Sequence, residues 1–176
     1  MLNLFGRARS VLTAGVLASA ALGGAPAFAA QEDIIALKSY IGEWRGRGVM
    51  QGARSETVVC RLNVTAGNQD RVTFAGRCAL AGTNMSIRGT IAFNERANRY
   101  EAAMTSDIGF SPDSAFGKRQ GDAIVFELEE RTRDTDGKAM QISANMLLRG
   151  DQIEARFRVV FVENGQEISA SVPFTR

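Results

Sequence analysis

From Trp44 to the C-terminus, apolar and polar positions alternate with a period of two, the signature of strands that bury one face. Trp44, Gly46, Gly48 and Met50 share a face of the first run. Val58, Cys60, Leu62 and Val64 do so in the second, and Val72, Phe74, Gly76, Cys78 and Leu80 in the third. The rhythm continues through Met85, Ile87, Gly89, Ile91 and Phe93, then through Tyr100, Ala102 and Met104. It returns at Ile124, Phe126 and Leu128, at Met140 to Leu148, at Ile153 to Phe161 and at Ile168 to Phe174. Turn chemistry separates the runs, at Gly67-Asn68-Gln69-Asp70, Asn94 to Asn98, Arg133 to Gly137, Arg149-Gly150-Asp151 and Asn164-Gly165. Between Ser106 and Gln120 the pattern is interrupted by Gly109, Pro112 and Gly117. A short strand over Ser114 to Lys118 fits there, and the rest reads as a mobile loop.

Ahead of the strands, Ile34, Leu37 and Ile41 recur at helical spacing, with Asp33 placed to cap and Gly42 placed to stop. One short helix over Asp33 to Ile41 follows. The expected fold is all-β: an antiparallel up-and-down barrel of about ten strands with one short N-terminal helix. A barrel is preferred to a sandwich because closure removes the edges a long meander would expose. Pro173 is expected at a terminal or edge position. In the hairpin around Gly67, a register with Val64 opposite Phe74 also sets Leu62 opposite Gly76, Cys60 opposite Cys78 and Val58 opposite Leu80. Every apolar residue then lands on one face, and the two cysteines come close enough to bond.

The N-terminus changes the picture of where this domain works. Arg7 and Arg9 precede an uncharged stretch from Val11 to Gly24, and Ala27-Phe28-Ala29 offers a small-residue cleavage site, the pattern of an export signal. The apolar stretch is shorter and weaker than the roughly 20 residues a membrane span requires. The expectation is a periplasmic protein with a signal peptide over 1–29, a single domain over 30–176, no transmembrane segment in the mature chain, and a monomeric state. An oxidising compartment favours a Cys60–Cys78 disulfide, and two cysteines in a chain without histidine are too few for a zinc site. Arg7 and Arg9 carry all of the net charge of +2, so the mature part is formally neutral and shows no basic run. Nothing in the composition argues for nucleic acid or an anionic membrane surface as partner.

With no histidine and no Gly-x-Ser-x-Gly elbow, a Ser-His-Asp nucleophile is excluded. Glu127, Glu129 and Glu130 are the one close acidic cluster, and Glu127 and Glu129 lie opposite Ile124, Phe126 and Leu128, on a solvated face. No catalytic residue, metal site or cofactor is expected, and the chain does not read as an enzyme. Arg45 and Arg47 point away from Trp44 and Gly46 into solvent, where as a pair they could hold an anion. A barrel of ten strands is wider than one that side chains fill completely. The residues that would line a ligand cavity inside it are Trp44, Phe74, Met85, Phe93, Tyr100, Met104, Phe126, Met140, Met146 and Phe157, with simple core filling as the plainer use of the same side chains.

The run Tyr40-Ile41-Gly42-Glu43-Trp44-Arg45-Gly46-Arg47-Gly48 after a helix resembles the start of calycin-type barrels, in which a Gly-x-Trp on the first strand closes one barrel end. The strand count is similar to the ten-stranded branch of fatty-acid-binding and nitrobindin-like proteins. That resemblance implies a cavity for a small apolar or amphipathic ligand. Nitrobindin-like proteins hold haem through a histidine, which this chain lacks. Gly42-x-Trp44 followed by Cys60, Arg61-Leu62-Asn63 and Cys78 also resembles periplasmic inhibitors of secreted metalloproteases. This second resemblance implies a protease or another envelope protein as partner, with Ala30 to Lys38 as the segment that enters it.

Overall fold

The computed structural model describes residues 25–80, 82–107, 114–134 and 136–176, so the charged and apolar parts of the expected export signal, and residues 108–113 of the segment expected to be a mobile loop, lie outside the described residues. A helix, α1 (Ala25–Lys38), is followed by ten strands: β1 (Gly42–Gln51), β2 (Glu56–Ala66), β3 (Val72–Leu80), β4 (Thr83–Asn94), β5 (Arg99–Ser106), β6 (Ala115–Gln120), β7 (Ala123–Arg133), β8 (Ala139–Arg149), β9 (Gln152–Phe161) and β10 (Glu167–Thr175). Each strand pairs antiparallel with its neighbours in sequence, and β10 pairs with β1, closing the barrel. The predicted short strand after Ser114 is β6.

The expected register of the first hairpin is present, with Cys60 opposite Cys78, Leu62 opposite Gly76 and Val64 opposite Phe74. Cys60 and Cys78 are joined by a disulfide across Cα atoms 4.1 Å apart. The alternation holds its phase around the whole barrel, so the apolar positions of every strand face one interior. Aromatic rings of that interior lie over inward-facing glycines on adjacent strands, Phe174 over Gly46, Phe74 over Gly89 and Phe126 over Gly117. A glycine with no Cβ leaves the space the neighbouring ring fills, which lets the sheet curl without voids.

One sequence expectation is corrected. The helix begins at Ala25 rather than at Asp33, so Asp33 lies within it and its carboxylate serves the barrel instead of capping. The helix ends at Lys38, two turn hydrogen bonds lead the chain through Tyr40 and Ile41, and Gly42 (φ 144°) takes a conformation that suits only glycine, as the predicted stop. Pro173 lies near the end of the last strand, the terminal one of the two expected positions, since a closed barrel offers no edge. It sits at the β1–β10 seam, where the pairing passes from Gly46 opposite Phe174 to Val49 opposite Ser171, and its missing N–H leaves that gap in the ladder unfilled.

At the same seam a Cβ on Gly48 would stand 2.0 Å from the Ser171 carbonyl oxygen, a backbone atom that cannot move aside cheaply. Gly48→Ala is therefore expected to lower stability by about 2 kcal/mol, read as the shift of a urea unfolding midpoint. Replacing both cysteines by serine removes a cross-link between residues 18 apart and should cost about 3 kcal/mol in the same measurement; an unchanged midpoint would contradict the loop-entropy account.

Candidate functional site

The two ends of the barrel differ. At the end where β1 starts and β10 finishes, α1 lies across the opening and its Ile34, Leu37 and the following Tyr40 are buried there. Trp44, Tyr100, Ile124, Phe126, Leu148, Ile153 and Phe174 fill the interior beneath, all buried. Trp44 Nε1 donates to the Tyr40 carbonyl at 2.9 Å, and the Arg176 guanidinium covers the indole at 4.5 Å while donating to the Ser39 carbonyl. Tyr100 is flanked by Phe93 and Phe126, with ring centroids 5.1 and 6.2 Å away.

One polar connection fastens the plug. The Tyr100 hydroxyl donates to Asp33 Oδ1 at 2.8 Å, and Arg119 Nη1 reaches the same oxygen at 3.2 Å. Asp33 is the one buried charged residue among those described, so a carboxylate on the helix is neutralised by a cation from β6 and a phenol from β5. Burial first, and then the Asp33 carboxylate, hold the Tyr100 phenol well above its usual value. Burial likewise raises Tyr40.

The opposite end has no described helix across it. There the inward-facing Met50, Met85, Met104, Met140, Phe157 and Phe161 are only half-buried. These residues are apolar, and Met50 and Met85 pack against the buried core. Seven of the ten predicted lining residues, Phe74, Met85, Phe93, Met104, Met140, Met146 and Phe157, are half-buried inward-facing side chains. Trp44, Tyr100 and Phe126 belong to the closed end instead, and Phe93 packs on Tyr100 there.

The sequence reading named Glu130 only as part of the acidic cluster and did not place it in the interior. On β7 it follows Phe126 and Leu128 on the inward face, opposite Ile142 and one inward position below the rim residue Thr132. Among the described residues its Oε2 is the one buried side-chain nitrogen or oxygen without a hydrogen-bond partner. A buried carboxylate oxygen without a donor is costly, and native proteins rarely leave one so. The signal was available: the period of two that makes Glu127 and Glu129 solvent-facing makes Glu130 lumen-facing.

The crystal structure of Rv2717c from M. tuberculosis matches with a TM-score of 0.60 at 17% identity, over 84% of this chain and 96% of that one. The two share a barrel fold. At that identity the likeness extends to the fold alone. The S-type phycobiliprotein lyase CPES from Guillardia theta matches over 88% of this chain and 98% of its own, at 9% identity and a TM-score of 0.48. No family model matches the chain, and no curated protein matches it in sequence.

Because both tyrosines have raised pKa values, folding favours their neutral forms, and the stability they contribute is complete below pH 10.0 and is lost as the pH rises beyond it. Phenolate absorbance should therefore stay absent somewhat above pH 10.0 and appear together with unfolding. Tyr100→Phe, which leaves Asp33 with Arg119 alone, is expected to cost about 1.5 kcal/mol in a urea melt.

Proposed function

We propose that this protein is an exported, monomeric, calycin-like barrel that binds a small amphipathic molecule through its open end. The apolar part of the ligand lies in the half-buried interior around Ala144, Met146 and Phe157, and a hydrogen-bond donor on its head group meets Glu130 near the rim. The observation that carries this reading is one buried carboxylate oxygen without a hydrogen-bond partner, on an inward-facing glutamate at the end of the barrel where the apolar inward-facing residues are only half-buried. An apolar cavity with a few convergent polar groups is the usual form of a small-molecule site. Cleavage after Ala29 would fall inside α1 and leave Asp33, Ile34 and Leu37 in place to plug the barrel.

The metalloprotease-inhibitor reading asks for an extended and accessible Ala30 to Lys38. That segment is helical, and Ala30, Asp33, Ile34 and Leu37 are buried against the barrel, which favours ligand binding over inhibition.

The test is a calorimetric titration of the purified mature protein with dodecylamine and with dodecanoate. The amine should bind more tightly, roughly tenfold, from one charge-assisted hydrogen bond to Glu130, and Glu130→Gln should remove the preference. Ala144→Trp, which fills the lumen opposite Leu128 and Phe157, should abolish binding of both while the barrel still unfolds cooperatively. Undiminished binding by Ala144→Trp would sink the lumen reading.

A further inference from the structure

The outer wall carries a second feature that the neutral net charge conceals. Arg45 on β1 stands directly opposite Arg61 on β2, which stands opposite Arg77 on β3; Arg88 on β4 lies diagonally beyond, opposite Ala75. Neighbouring strands are about 4.8 Å apart, so three guanidinium stems leave the sheet within roughly 10 Å of one another. Like charges directly opposed on adjacent strands are destabilising. Among the described residues none of these four forms a salt bridge, although Asp107 feels the charge of Arg77, whereas each arginine of β8 to β10 forms one: Arg149 with Asp122, Arg156 with Glu154 and Arg158 with Glu167.

The arginines surround a groove of about 670 Å³. Its floor between them is made of short outward-facing side chains, Asn63, Ala75, Ser86 and Thr105, so the long cations form walls around open space. Two carboxylates flank it. Asp107 is committed to the Ser86 main-chain N–H at 2.8 Å, and Glu43 lies opposite Asn63. Four cations against two anions leave the groove positive.

We propose that this groove is a binding site for a soluble molecule carrying two or more closely spaced phosphate or sulfate groups. Guanidinium forks match tetrahedral oxyanions in geometry and charge, and a bound anion would offset the repulsion along the Arg45, Arg61, Arg77 row. Among the described residues, the outward side chains of the groove include no aromatic residue on which a base could stack, and no large apolar residue that could enter a bilayer. The recognised part is thus the anionic group itself.

The experiment is calorimetric titration of the full chain with inorganic tripolyphosphate at low salt and again at raised salt. Binding is expected to weaken with salt. In Arg61→Gln/Arg77→Gln it should fall roughly hundredfold through loss of two charge-assisted contacts, while Arg131→Gln on β7 binds as the parent does. The double variant should melt no lower than the parent, since two opposed charges are gone. If it does melt lower, Arg88→Gln, with Ala75 and Thr105 across from it, is expected to weaken binding roughly tenfold on an intact fold. No binding at low salt, or equal binding by all variants, would overturn the proposal. So would binding to phosphatidylglycerol vesicles without binding to tripolyphosphate, which would assign the arginines to a membrane surface.

Discussion

Because β1 pairs with β10, no strand of this sheet has a free edge, and every inward side chain must pack against others, line the lumen or reach the mouth. The seam that imposes this is also where the backbones crowd most. Gly48 lies against the Ser171 carbonyl, and Pro173 leaves a gap in the ladder beside it. The inward glycines under Phe174, Phe74 and Phe126 serve the same end, since a sheet this short in sequence can close only where a ring from one strand occupies the space a Cβ would take on the next. Removing a methyl group at these positions is thus a condition of curvature.

Once the sheet is closed, its two ends are free to specialise. Helix α1 brings Ile34 and Leu37 to one end and ties itself there through Asp33, Tyr100 and Arg119. The large rings of the interior are gathered beneath it, and the flexible side chains, the methionines above all, are left toward the other end. The gradient from rigid aromatic filling to soft thioether lining gives the interior a solid base and an adaptable upper half. Glu130 is set in that upper half, its Oε2 buried and without a hydrogen-bond partner among the described residues.

Strand positions, register and the disulfide were legible in the sequence because a period of two is a local signal and a one-residue slip would turn every apolar side chain outward. Cys60 opposite Cys78 follows from the same register as Leu62 opposite Gly76. What was not legible depends on contacts between distant segments. Asp33 reads locally as a cap, and only the fold brings Tyr100 and Arg119 to it. Trp44, Tyr100 and Phe126 share the inward face with Met140 and Phe157, and alternation alone cannot say which end of the barrel a residue occupies. The arginine row was hidden for a similar reason: Arg45, Arg61 and Arg77 are 16 residues apart at each step, so no window of sequence shows them as one patch.

The order of strands around the barrel also bears on how the chain reaches this state. Every interface but one joins consecutive strands, so most of the sheet can grow by adding hairpins, each needing only a short loop to close. The remaining interface requires the first strand to meet the last, across nearly the whole domain, and the helix plug waits in the same way for β5 and β6. Until β10 arrives, β1 and the growing end of the sheet are both unpaired edges that could recruit another chain. In a chain that emerges N-terminus first, β1 would be the edge exposed for longest, and two of its outward-facing residues are Arg45 and Arg47, side chains of the kind that discourage edge-to-edge pairing.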